Sequence, residues 1–150
     1  MNEFSALADG LRATVPFVRT LGIEVLDLTA TRAVVRLPDN PAHHNHIAGP
    51  HAGAMFTLAE TASGAIVLAA FGEQLSRATP LTTRAEITYT KTARGPVTAT
   101  ATFDRSPAEV IAELDAGQRP TFPVAVEITT ENGTTVATMT VEWTLRPNTR

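Results

Sequence analysis

The chain has 150 residues, no cysteine and a formal net charge of −3. Without a basic excess to neutralise phosphates, nucleic acid is not expected as a partner; the lack of cysteine excludes disulfides, thiol catalysis and thiolate metal sites. Hydrophobic residues make up 43% and charged residues only 18%, a low charged share that points to some surface being covered by another subunit.

The length suits one domain over residues 1–150. Met1-Asn2-Glu3-Phe4 has neither the basic start nor the apolar stretch of a signal peptide, so a cytoplasmic protein is expected. The most apolar run, Ala65 to Phe71, is too short to cross a bilayer, so no membrane partner is expected.

Phe4, Leu7, Ala8 and Leu11 fall at helical spacing and predict an N-terminal helical segment within 1–21. Pro16 interrupts it and opens a second turn, ended by Gly22. The period then changes to two. Ile23, Val25 and Leu26 begin a strand, Thr29-Ala30-Thr31 turns the chain, and Ala33 to Leu37 returns it as a hairpin. Pro38-Asp39-Asn40-Pro41 stops the hairpin. A polar loop, Ala42 to Pro50, holds three of the four histidines.

From His51 to about Phe71 the pattern is helical and apolar, ending at Gly72. This central helix, 51–71, would be roughly 30 Å long. Strands follow at Leu81 to Lys91 and Val97 to Phe103, joined at Arg94-Gly95-Pro96. Ser106 to Ala116 reads as a short helix with Ser106 as N-cap, Pro107 at its first position and Gly117 past its end. Strands at Thr121 to Thr130 and Thr134 to Leu145 are joined at Glu131-Asn132-Gly133, a strong hairpin signal. In the last one Ala137, Met139, Val141, Trp143 and Leu145 share a face. Strands in runs around one long helix predict an α+β fold, with an antiparallel sheet wrapped around that helix.

Between Asp39 and Glu73 the only formally charged side chain is Glu60. It lies on a helix apolar nearly all round, which is a buried helix. An unpartnered buried carboxylate costs on the order of several kcal/mol, so Glu60 must be paired, protonated, solvated by a pocket, or used. A subunit interface or a half-exposed helix edge accounts for it as well as a reactive site does. Before it, Gly49-Pro50-His51-Ala52-Gly53-Ala54 turns a loop into a helix N-terminus. Free N–H groups and the helix dipole there suit an anion or a developing oxyanion. Asn45 brings a side-chain amide to the same loop.

The stretch Asn45-His46-Ile47-Ala48-Gly49-Pro50-His51-Ala52-Gly53-Ala54-Met55-Phe56-Thr57-Leu58-Ala59-Glu60 resembles the signature of hotdog-fold thioesterases of the PaaI-like type. It is most similar to a bacterial branch with His-Ala-Gly and Glu-x-x-x-Gly, here Glu60 and Gly64. Ile87-Thr88-Tyr89-Thr90-Lys91-Thr92-Ala93-Arg94-Gly95-Pro96-Val97 resembles the family's later strand pair. The resemblance implies a homodimer or a dimer of dimers, with acyl-CoA thioester sites at the subunit interface. Glu60 would match the catalytic carboxylate, as general base or nucleophile. Ala52, with Gly53, would match the oxyanion donor, and Asn45 the polar loop residue. His51, Ser63, Gly64, Tyr89, Lys91 and Arg94 are the candidate substrate-binding residues around them. Coenzyme A would enter only as part of the substrate, with no cofactor.

Ala52 stands where many relatives have Gly, which requires a helical rather than a positive φ. Gly64 stands where some relatives carry a hydroxyl that holds water, and Ser63 or Thr61 is the available substitute. Tyr89 and Trp143 also read as core or interface aromatics, and Arg84, Lys91 and Arg94 as a solvated basic surface. His43, His44, His46 and His51 match no standard zinc spacing, so no metal is expected. Two other readings stay open. A hotdog dehydratase would use His46 with Glu60, and a non-catalytic protein would bind acyl-CoA without turnover.

Overall fold

A computed structural model describes residues 3–149. Helices α1 (Glu3–Thr14) and α2 (Pro16–Leu21) open the chain. Pro16 occupies the first position of α2, where its missing N–H costs nothing, and Gly22 caps it at φ 67. The hairpin β1 (Glu24–Leu28) and β2 (Ala33–Leu37) follows. A 3₁₀ turn at Pro41–His43 and a loop lead into α3 (Ala52–Phe71). Then come β3 (Ala78–Tyr89), β4 (Val97–Phe103), α4 (Pro107–Asp115), β5 (Thr121–Thr130) and β6 (Thr135–Pro147).

The six strands form one antiparallel sheet in the order β1-β2-β4-β5-β6-β3. It curls around α3, which packs against β2, β4 and β5. Leu58, Ala59, Ala62, Ala65 and Ile66 of α3 are fully buried against inward-facing Val35, Ala99, Val124 and Ile128. Small residues on the helix let the sheet approach closely. Phe71, Phe103 and Phe122 close the far end of α3 with ring centroids 5.0–6.1 Å apart. This is the α+β hotdog architecture that the sequence predicts.

Several details differ from expectation. Strand β3 starts at Ala78, not Leu81, and runs through Pro80 opposite Leu145. Proline reads as a stop, but β3 is an edge strand and tolerates it. Pro123 lies inside β5, beyond the end of β4, whose last residue Phe103 pairs with Val124. No neighbour on that side asks for its missing N–H. Ser106 precedes α4 without a side-chain cap bond. Gly72 keeps a right-handed φ of −53, so α3 passes directly into a 3₁₀ turn at Gly72–Gln74. An 18-residue window within Ala52–Gln74 has a mean hydropathy of 1.6, so by length and composition alone this segment matches a membrane span. The surrounding sheet accounts for that composition, because α3 is the core helix.

One stripe of α3 is left uncovered. Ala52 and Phe56 are exposed, and Glu60 and Gly64 are half-buried, all four at i, i+4 spacing. Beside that stripe the twelve-residue β3 ends the sheet, with one side of its backbone unpaired.

Candidate active site

The loop before α3 is organised by Asn45. Its Oδ1 accepts the N–H groups of Ile47 (3.0 Å) and Gly49 (3.1 Å), and its Nδ2 donates to the Pro50 carbonyl at 3.4 Å. Its backbone N–H donates to the Gly49 carbonyl at 2.8 Å. Asn45 is therefore first the pin of its own loop, with one amide hydrogen left over. Ala48 takes a left-handed φ of 57 to make the turn. Gly49 meets the segment after β3 so closely that a Cβ there would lie 2.5 Å from the Ala93 carbonyl oxygen.

That segment holds the loop in two further places. Arg94 Nη1 donates to the Ile47 carbonyl at 3.0 Å, and Tyr89 Oη donates to the Ala52 carbonyl at 2.8 Å. The Arg94 guanidinium is thus partly committed to the loop. Lys91 carries no hydrogen bond or ion pair of its side chain among the described residues. Asn45, Ala52, Met55, Tyr89 and Lys91 line one cavity of about 460 Å³.

At the start of α3, His51 is the N-cap. Its Nδ1 accepts the Gly53 N–H at 2.8 Å, so the Gly53 donor is already taken. The N–H groups of Ala52 and Ala54 have no acceptor among the described residues. Ala52 is the first helical residue and has no positive φ, so its side chain is accommodated without strain. Its free N–H opens beside the cavity and carries the positive end of the helix dipole.

Glu60 is half-buried, and no hydrogen bond or ion pair reaches its carboxylate among the described residues. Its oxygens are not sealed from solvent. Burial raises its pKa above the ordinary 4.5. It lies eight residues beyond Ala52, about 12 Å along the helix axis, and does not line the Asn45–Ala52 cavity.

Ser63 does not face this site. It is fully buried; its hydroxyl donates to the Glu60 carbonyl at 2.6 Å and accepts the Trp143 indole N–H at 3.0 Å. Buried Thr61 turns inward as well. Gly64 stands over the Trp143 ring edge, where a Cβ would find ordinary contact at 3.6 Å. Trp143 is a core residue, 8% exposed. His46 sits exposed in the loop, and Arg84 pairs with Glu86 in solvent at 3.2 Å. Among the described residues no three His, Cys, Asp or Glu side chains converge as a metal site.

Reading the sequence does not separate His43 from its histidine neighbours. In the structure it alone is buried, 7% exposed, and its Nδ1 has no partner.

Solved structures share this fold. A Pseudomonas aeruginosa protein of unknown function named "Probable Thioesterase" aligns with a TM-score of 0.85 at 24% identity, over 96% of this chain and 95% of that one. A thioesterase family protein from Silicibacter pomeroyi gives 0.76 at 20% identity, over 96% and 98%. The PaaI protein of the E. coli phenylacetic acid degradation operon gives 0.72 at 19% identity, over 93% and 90%. At these identities the likeness establishes the fold, in agreement with the motif resemblance. No curated protein matches the sequence. Residues 4–145 match the family described as a domain of unknown function, DUF4442, and the chain belongs to that family.

Proposed function

We propose that the protein hydrolyses acyl-CoA thioesters at sites composed from two copies of the chain. The observation that carries this reading is the pairing on one uncovered helix stripe of a free N–H at Ala52 with an unpartnered carboxylate at Glu60. They are too far apart on one helix to act on one carbonyl. A second copy joined along the open edge of β3, with its α3 stripe facing this one, would bring Glu60 of one chain toward Ala52 of the other.

In that arrangement the Ala52 N–H receives the thioester oxygen as it becomes an oxyanion. Glu60 takes a proton from water, whose oxygen attacks the carbonyl carbon. The C–S bond then breaks, and the CoA thiolate leaves with the electron pair. A raised pKa makes Glu60 a better base than an ordinary carboxylate. The thiolate leaves readily, so stabilising the oxyanion matters more than protonating the leaving group. The uncommitted Lys91 amine is the cation for the CoA phosphates, and Tyr89 and Arg94 hold the loop and helix start in place.

The test is thiol release from short, aromatic and long acyl-CoAs by the wild type and by Glu60→Gln. The expected loss in the variant is about 10²–10⁴-fold. Equal activity of the two on every hydrolysed substrate overturns the role of Glu60. One observation favours a second reading, binding without turnover. With Ser63 committed to Trp143, Thr61 buried and Gly64 bare, none of these three positions offers an exposed hydroxyl to hold the attacking water. Tight acyl-CoA binding with no thiol release would establish that alternative.

A further inference from the structure

We infer that the acyl part of the substrate is a straight, unsubstituted alkyl chain that lies along α3 beyond Glu60 and ends in a cavity between α1 and the end of α3. This inference rests on the proposed placing of the thioester carbonyl beside Glu60, and adds the class of acyl group.

A track leads from the carboxylate to that cavity. Glu60, Gly64, Leu68 and Gly72 follow one another at i, i+4 spacing, and all four are half-buried. The sheet covers their helix neighbours Ala62 and Ile66 completely and leaves this row open. No charged residue occurs between Glu60 and Glu73. A Cβ on Gly64 would touch only the Trp143 ring, at 3.6 Å, and one on Gly72 would meet nothing within 4 Å. Free space therefore remains over the row on both sides of Leu68.

The row runs into a cavity of about 510 Å³, a volume in the range of small-molecule sites. Leu68 and Gly72 form its wall with Leu7, Ala69, Ala70 and Leu75, and Glu73 is its one charged residue. Leu75 is 41% exposed, so apolar surface is left to water there. No hydroxyl, side-chain amide or cation lines the cavity. Such a wall gives no partner to a polar substituent, and a buried polar group without one is penalised. Glu73 repels a second carboxylate as well. An alkyl chain is the group that this wall favours.

Length separates a long chain from smaller acyl groups. Leu68 lies eight residues past Glu60 and Gly72 twelve, which is about 12 and 18 Å along the axis. An extended chain advances about 1.25 Å per bond, so about ten bonds reach Leu68 and about fourteen reach Gly72. An acetyl or benzoyl group stops short of the cavity.

The experiment is calorimetry of the full chain with the thioethers S-ethyl-CoA and S-dodecyl-CoA, which cannot be hydrolysed, beside thiol release from acetyl-CoA and lauroyl-CoA. The dodecyl thioether should bind at least about a hundredfold more tightly than the ethyl one. Gly72→Trp and Leu68→Trp fill the track, and each should reduce that preference about tenfold or more. If the Leu68 variant does not fold, the Gly72 variant decides alone. Equal binding of the two thioethers, or a preference unchanged in the folded variants, overturns the inference. If thiol is still released in that case, the hydrolytic reading stands without it. A dodecyl preference that the variants reduce, with no thiol released from either thioester, upholds the inference and removes hydrolysis. Failure of both thioethers to bind overturns both.

Discussion

Burial works against the charge on Glu60, and the sign of that effect is testable. Its pKa is raised in the folded protein. The protonated form is therefore favoured by folding, and the stability it contributes is complete below the unfolded value. That stability is lost as pH rises through the raised value. Glu60→Gln should melt higher than the wild type at pH 7–8, with the gain vanishing near pH 4, as calorimetry would record. Ser63 has the opposite dependence on its neighbours. Ser63→Ala leaves a buried indole N–H without an acceptor, at a cost of about 1–3 kcal/mol; Trp143→Phe in the same chain should recover part of it in a denaturation cycle. Gly64→Ala should stabilise α3 by about 0.5–1 kcal/mol, since a methyl fits against Trp143. Glu60 was legible in the sequence because a lone charge on an apolar helix is a one-dimensional signal. The commitment of Ser63 was not, because its partner lies 80 positions away. The Asn45 amide looked free for substrate for a similar reason: its partners are backbone groups whose direction depends on the left-handed turn at Ala48.

Loop 45–50, the start of α3 and the segment after β3 act as one element. Tyr89, Arg94 and the close approach of Gly49 to Ala93 tie them together. Gly49→Ala pushes a methyl into a backbone carbonyl, with a stability loss of about 1–3 kcal/mol. The loss should appear as a lower denaturation midpoint, with an unchanged slope if only the folded state is strained. Tyr89→Phe keeps the ring and deletes the bond to Ala52, so it should lower kcat more than it changes KM. Helix α4 is held differently, by Arg105, which bonds Glu113 and the Thr121 carbonyl. The hydrophobic periods made most elements legible in the chain. Their ends were less so where tertiary position overruled local preference: Pro80 is tolerated because its strand is an edge.

At the scale of the molecule, the unpaired side of β3 lies beside the uncovered Ala52–Phe56–Glu60 stripe, in which Glu60 is half-buried. Such an edge invites pairing with another chain. Sedimentation should find a particle of two or four chains, and a monomer at working concentration would contradict the composite site. Mixed dimers test that site most directly. Ala52→Pro removes the proposed oxyanion donor at a helix position where proline is favoured, and should alone cost about 10²–10³-fold in rate. Glu60→Gln removes the base. Thiol release should then be measured on heterodimers, purified with two different tags, that carry one variant in each chain. If each site takes Ala52 from one chain and Glu60 from the other, the hybrid contains one intact site and recovers about half of the wild-type rate, although both parents are inactive. A hybrid as inactive as its parents would contradict the account.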